Sequence, residues 1–112
     1  MDIDKEVHAR VKALMGRKFS QLIDKYIVAA DRHIEAIRSG YDERDIKRLI
    51  GAAHALKSSS GNLGFHGLYE TANAIEALGN KVLSGDEDVV SLDEMVEIVS
   101  MQYSDVKVFL GL

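Results

Sequence analysis

Residues 46–64 read Ile-Lys-Arg-Leu-Ile-Gly-Ala-Ala-His-Ala-Leu-Lys-Ser-Ser-Ser-Gly-Asn-Leu-Gly. Placed on a helix at 100° per residue, Ile46, Leu49, Ala53, Leu56, Ser60 and Leu63 form one seam, and His54 lies about 130° from its centre. The seam is a core face, and His54 faces solvent. Lys57 stands one turn further on, nearer the border. Gly51, Ser58 and Gly61 share the side of His54, and an interior glycine costs a helix about 1 kcal/mol relative to alanine. Two such glycines beside an exposed histidine predict a surface on which bulk is harmful.

Outward from this helix, the same periodicity recurs. Asp42 is the expected N-cap, with Glu43 and Asp45 in the first turn where the helix dipole favours acids. Upstream, Phe19, Ile23, Tyr26, Ala30, Ile34 and Ile37 predict a long helix over 17–39, with Gly40 as its stop. Ile3, Val7, Val11 and Leu14 predict a short amphipathic helix within residues 1–15, able to lid one end of a bundle. Downstream, Gly64 ends the His54 helix, and Phe65-His66-Gly67 connects it to a helix marked by Leu68, Ala72, Ile75, Leu78 and Val82. Ser84-Gly85 closes that helix. Ser91 and Glu94 stand at capping-box spacing before Leu92, Met95, Val99, Val106 and Phe109, the seam of a last helix. The expected fold is all-α: an up-down-up-down antiparallel four-helix bundle over 17–110, crossing at roughly 20°, with an additional short N-terminal helix.

Composition narrows the class. The 112 residues, 46% hydrophobic and 29% charged, suit a single domain over 1–112 with one core, and the lack of proline suits helices throughout. With no cysteine there is no disulfide, thiol nucleophile or cysteine-based zinc site. A net charge of −4 opposes a nucleic-acid binder, which needs a basic patch. No apolar run approaches the roughly 20 residues that span a bilayer, and Met1-Asp2-Ile3-Asp4 does not open like a signal peptide. The expectation is a cytoplasmic protein; the initiator-like Met1 and compact length favour a freestanding one.

His54 carries the chemistry. A neutral imidazole nitrogen is a nucleophile near physiological pH, and its phosphorylated form has a labile N–P bond. Phosphoryl transfer depends on positioning and on stabilising charge on the equatorial oxygens, so Lys57 at i+3 is a suitable point charge and Ser58 at i+4 a suitable donor. Gly51, Ser58 and Gly61 leave room for another protein's acidic pocket. Ile50, one turn before His54 and about 90° off the core seam, is the candidate apolar docking contact.

The run His54-Ala55-Leu56-Lys57-Ser58-Ser59-Ser60-Gly61-Asn62-Leu63-Gly64 resembles the H-x-L-K-G-S-[AS]-x-x-[LFI]-G signature of histidine-containing phosphotransfer (HPt) domains. Leu68 to Glu76 resembles that family's next-helix pattern, which ends in an aliphatic residue and a glutamate. Ser58 departs from it, standing where the family usually has glycine; its hydroxyl bears on access to His54 or on the lifetime of the phosphorylated state. The resemblance implies a phosphorelay carrier, phosphorylated on His54, that shuttles the group between aspartates of receiver domains in response regulators and hybrid histidine kinases. It implies no autonomous kinase activity and no intrinsic cofactor, with Mg²⁺ supplied by the partner receiver and the carrier a monomer. No G-x-x-x-x-G-K-[ST] loop or glycine-rich kinase loop is present. The alternative is a receiver- or kinase-docking regulatory module that is never itself phosphorylated; a third reading is a purely structural bundle.

Other residues have plainer readings. Lys57 could be a solvated lysine whose stem covers the core edge. Ser59 and Ser60 are expected to permit close helix packing, and Gly61 could serve packing instead of docking. His8, His33 and His66 match no motif and are expected to be structural or solvent-facing, and no metal site is expected. Asp86-Glu87-Asp88 reads as a solvated loop. The segment 54–77 superficially suggests helix-turn-helix, but Leu68 to Leu78 has Glu70 and Glu76 and no basic residue, so DNA binding is not expected.

Overall fold

A computed structural model describes residues 2–112; Met1, the initiator-like residue, lies outside them. Five α-helices follow in order: α1 (Lys5–Met15), α2 (Phe19–Asp42), α3 (Ile46–Asn62), α4 (His66–Leu83) and α5 (Asp93–Phe109). Helices α2 to α5 form the bundle. Each packs against the next, and α5 closes the ring against α2. Polar pairs show that the neighbours run antiparallel: Arg38 meets Glu97 and Ser100 at one end of the α2–α5 seam, and Asp31 meets Lys107 further along.

The core is the seam read from the sequence, with additions. Leu49, Ala53, Leu56 and Ser60 of α3 are sealed, as are Leu68, Ala72 and Ile75 of α4. Each large aliphatic among them contributes about 2 kcal/mol by leaving water. Ile23, Tyr26, Ala30 and Ile37 of α2 are buried, while Phe19 and Ile34 pack half-buried on the edge. On α5, Leu92 just before the helix, Val99 and Val106 are buried as expected, and Val96 and Tyr103 fill the turns between them. Phe109 keeps partial exposure but sets its ring edge-on to His8, 5.1 Å between centroids.

Three end signals differ from the sequence reading. Gly40 does not stop α2, which continues to Asp42. It is buried because α3 starts against it: an added Cβ would lie 3.0 Å from the Asp45 carbonyl oxygen and 3.2 Å from Leu49 Cβ. Asp42 is not the N-cap of α3. Arg44 turns the chain with φ of 60°, and Asp45 then caps, accepting from the Arg48 N–H at 3.3 Å. The capping box at Ser91 and Glu94 does not form either. Asp88 instead caps a 3₁₀ turn over Val89–Leu92, accepting from the Val90 N–H at 3.0 Å, and Ser91 Oγ donates to the Asp88 carbonyl. At α3 a second acid, Asp45, stands three positions after Asp42 and takes the cap where its backbone packs on Gly40.

Helix α1 lids the end of the bundle where α3 turns into α4. The Asp4 N–H donates to Gly64 O at 2.7 Å, and the Gly67 N–H donates to Asp2 O at 2.8 Å. Gly64, at φ of 81°, has no room for a side chain, because a Cβ would stand 2.6 Å from Asp4 O. His8 is the anchor. Buried among Phe19, Phe65 and Phe109, it donates from Nδ1 to the Leu63 carbonyl at 2.9 Å.

Candidate functional site

Helices α3 and α4 lie antiparallel in a register that brings Glu76 opposite His54, Asn73 opposite Lys57 and Tyr69 opposite Gly61. Two contacts set this register. Gly79 is buried under Ile50, whose Cγ1 would be 2.7 Å from an added Cβ, and Gly61 is covered by the Tyr69 ring, whose Cδ2 would be 2.9 Å away. Both glycines let a side chain from the opposite helix lie directly on the backbone.

His54 stands on the outer face of α3 with its side chain 63% exposed, as the angular argument predicted. Its Nδ1 is 2.7 Å from Glu76 Oε2, and Lys57 Nζ is 2.7 Å from Glu76 Oε1. One carboxylate thus spans the histidine and the lysine. Lys57 also donates to Asn73 Oδ1 at 3.4 Å and is largely covered, so it is no freely solvated lysine. The Lys57 hydrogen bond, helped by the His54 hydrogen bond and the charges of both, holds the Glu76 carboxyl below the usual carboxylate range despite its partial burial. An ionised carboxylate only accepts, so the proton between them belongs to Nδ1. In the neutral form of the ring the nitrogen left to attack is then Nε2, on an exposed side chain.

The other residues singled out by the sequence divide. Gly51 borders open space, with nothing within 4 Å of a Cβ position, and Ser58 is exposed. Both lie on the His54 side. Gly61 does not clear open surface, because Tyr69 occupies that side of it. Ile50 is half-buried on Gly79, so it packs the α3–α4 seam; the small residue opposite, unreadable from α3 alone, draws it inward. Ser60 is fully buried and bonded to Tyr26 Oη at 2.8 Å, while Ser59 Oγ donates to backbone carbonyls of its own helix. Burial pushes the Tyr26 hydroxyl up to about 12, against the opposing effect of the Ser60 hydrogen bond.

The sequence singles out Glu76 only as the close of the next-helix pattern and as an acid opposed to DNA contact, and it does not single out Asn73. Their signal in the sequence is their recurrence at i+4 and i+7 from Tyr69 on the polar side of α4, which becomes meaningful once the partner helix is known. His66 pairs with Glu70 at 3.1 Å, and the ligand atoms of Asp2, His66 and Glu70 lie within 4.8 Å of one another on exposed side chains. Asp2 reaches them only because the N-terminal arm docks on the α3–α4 turn. No helix among the described residues is long and apolar enough to cross a membrane.

No curated protein matches the chain. Among solved structures it is similar to histidine-containing phosphotransfer protein B (HptB) from Pseudomonas aeruginosa PAO1, at a TM-score of 0.78 and 18% identity, covering 96% of this chain and 90% of that one. That likeness is one of fold. The family profile described as the Hpt domain matches residues 21–102, which take in α3, α4 and the His54–Glu76–Lys57 arrangement. The chain therefore belongs to the Hpt domain family, whose members carry out histidine phosphotransfer in phosphorelays and are not kinase catalytic domains.

Proposed function

We propose that His54 is the phosphoacceptor of this domain and that it passes the group between aspartates of receiver domains. The observation that carries this reading is the exposed imidazole whose Nδ1 is held by Glu76. With Nδ1 protonated, the Nε2 lone pair attacks the phosphorus of a receiver's aspartyl phosphate. An N–P bond forms, the P–O bond to the aspartate breaks, and the carboxylate leaves with the bonding pair. The imidazole becomes cationic as it takes the phosphoryl group, and Glu76, already an acceptor at Nδ1, balances that charge. Return transfer reverses these steps, with a second aspartate oxygen as nucleophile and neutral imidazole as leaving group.

Lys57 acts through Glu76, holding the carboxylate in place beside His54 with its 2.7 Å hydrogen bond, and it supplies a positive charge one turn from His54 on α3. Ser58 offers a hydroxyl on the same face, and Gly51 leaves space for the incoming receiver. The receiver contributes its aspartate and Mg²⁺; this chain contributes no cofactor. Residues 17–110 are the bundle of a single domain over 1–112, working as a cytoplasmic monomer with protein partners in response regulators and hybrid kinases, without nucleic acid or membrane.

The test is incubation with a phosphorylated cognate receiver. Acid-labile, base-stable label is expected on the wild type and absent from a folded His54→Gln variant. Label retained in that variant defeats the assignment. Binding to receivers without any label transfer would point instead to a docking module that is never phosphorylated.

A further inference from the structure

With Ile50 half-buried in the α3–α4 seam, the more exposed apolar side chains that a transient protein partner needs beside His54 lie on α4. On α4 two exposed large apolar side chains stand seven residues from Glu76, Tyr69 at 37% and Leu83 at 48% exposure, and of the two Tyr69 is the one seated on a glycine of α3. Its position is set by the register. Glu76, which bonds His54, is seven residues from Tyr69 on α4, and Gly61, on which Tyr69 lies, is seven residues from His54 on α3. Seven residues are two helical turns, so Tyr69 stands about 10 Å along the same two-helix face from the imidazole. A partner of ordinary footprint, about 800 Å² per side, reaches both.

The ring is also held still. One side rests on Gly61, where an added Cβ would be 2.9 Å from Cδ2, and the His66 ring stacks beside it at 6.3 Å between centroids and 10° between planes. A seated aromatic loses little rotamer freedom on binding, which is why such side chains dominate interface energetics. We infer that Tyr69, seated on Gly61 and braced by His66, is the apolar anchor of the surface on which receiver domains dock to reach His54. The inference rests on the reading of His54 as the relay site for the choice of partner. It assigns Gly61 the role of seating the anchor and His66 that of bracing it.

Calorimetric titration of the full chain with each purified receiver domain of the source organism tests this. For the tightest-binding receiver, Tyr69→Ala is expected to raise Kd tenfold or more, and Tyr69→Phe to stay within about twofold of wild type. In transfer assays with the phosphorylated receiver, Tyr69→Ala should raise the half-saturating receiver concentration far more than it lowers the rate at saturation. A fold defect would move the two together. In the wild type, the Tyr69 ring resonances should shift on adding that receiver, a readout that needs no variant. A Tyr69→Ala Kd within twofold of wild type, Tyr69 resonances that do not move, or no receiver binding at all overturns the inference. Failure of the His54 reading looks different: receivers bind in a Tyr69-dependent way while no label reaches the imidazole.

Discussion

His54 Nδ1 and Glu76 Oε2 stand 2.7 Å apart across two helices, twenty-two positions apart in the chain. Because the carboxylate can only accept, this contact decides which imidazole nitrogen keeps its proton. Replacing Glu76 by Gln offers an amide that donates as well as accepts, so the preference is lost. Glu76→Gln is expected to slow phosphoryl transfer to His54 about tenfold, equivalent to about 1.4 kcal/mol in the barrier. Nitrogen-15 shifts of the ring should show a mixed tautomer population; an undiminished Nδ1–H form would refute the role.

The same carboxyl predicts a pH dependence of stability. Its folded-state value is depressed, chiefly by the Lys57 hydrogen bond. Glu76 therefore stabilises the fold fully above the ordinary glutamate value of about 4.3, and that contribution is lost as pH falls through the depressed value. In urea titrations, the gap between wild type and Glu76→Gln should be present above the ordinary value and close below it. A gap that widens in acid contradicts the sign.

Lys57→Ala removes the ammonium that holds the Glu76 carboxylate in place beside His54 and leaves Asn73 without its contact. The variant should fold, at a cost of about 1 kcal/mol, because water reaches both partners. Transfer through His54 should slow, and the labelled protein should lose its phosphoryl group sooner. Equal transfer rate and lifetime would reduce Lys57 to a surface lysine.

Two glycines should respond in opposite directions. Gly51 borders open space, so Gly51→Ala should stabilise α3 by up to about 1 kcal/mol, whereas Gly51→Leu should slow transfer by filling the approach to His54. Gly79 lies under Ile50, and Gly79→Ala forces a methyl against Cγ1, for a net loss of about 1 kcal/mol or more after the gain in helix propensity. Chemical denaturation of the alanine variants separates the two environments. Stabilisation of both would mean that α3 and α4 are not so closely packed.

His8→Ala should destabilise the protein by about 2 to 3 kcal/mol, since it empties an aromatic box and leaves the Leu63 carbonyl unpaired. Hydrogen exchange should quicken first in α1 and across Leu63 to Gly67. Label transfer to His54, at a distance from this lid, should persist. Loss of protection beginning instead in α5 would show that α1 does not cap the bundle.

Much of this was legible one helix at a time. The 3.6-residue period marked Leu49, Leu56 and Ser60 as buried and His54 as outward-facing, because burial on one helix face is angular information that a local stretch of chain contains. Helix ends were less legible. Asp42, Glu43 and Asp45 are all acids able to cap, and the sequence does not say that α2 runs on through Gly40 until α3 packs against it. The half-burial of Ile50 was illegible for a similar reason: its surroundings include Gly79, which belongs to another helix.

The amino-acid sequence by itself determined that this is an all-helical chain with a histidine and a lysine one turn apart on an uncluttered helix face, since periodicity and side-chain size are properties of neighbours along the chain. Only the tertiary structure decided that Glu76 joins the two, that Ile50 packs on Gly79 and Tyr69 on Gly61, and that His8 is a buried clasp. Those outcomes depend on the sliding register of α3 against α4 and on the docking of the N-terminal arm. Such registers are fixed where a glycine on one helix admits a side chain from the next, a relation between residues that no single helix contains.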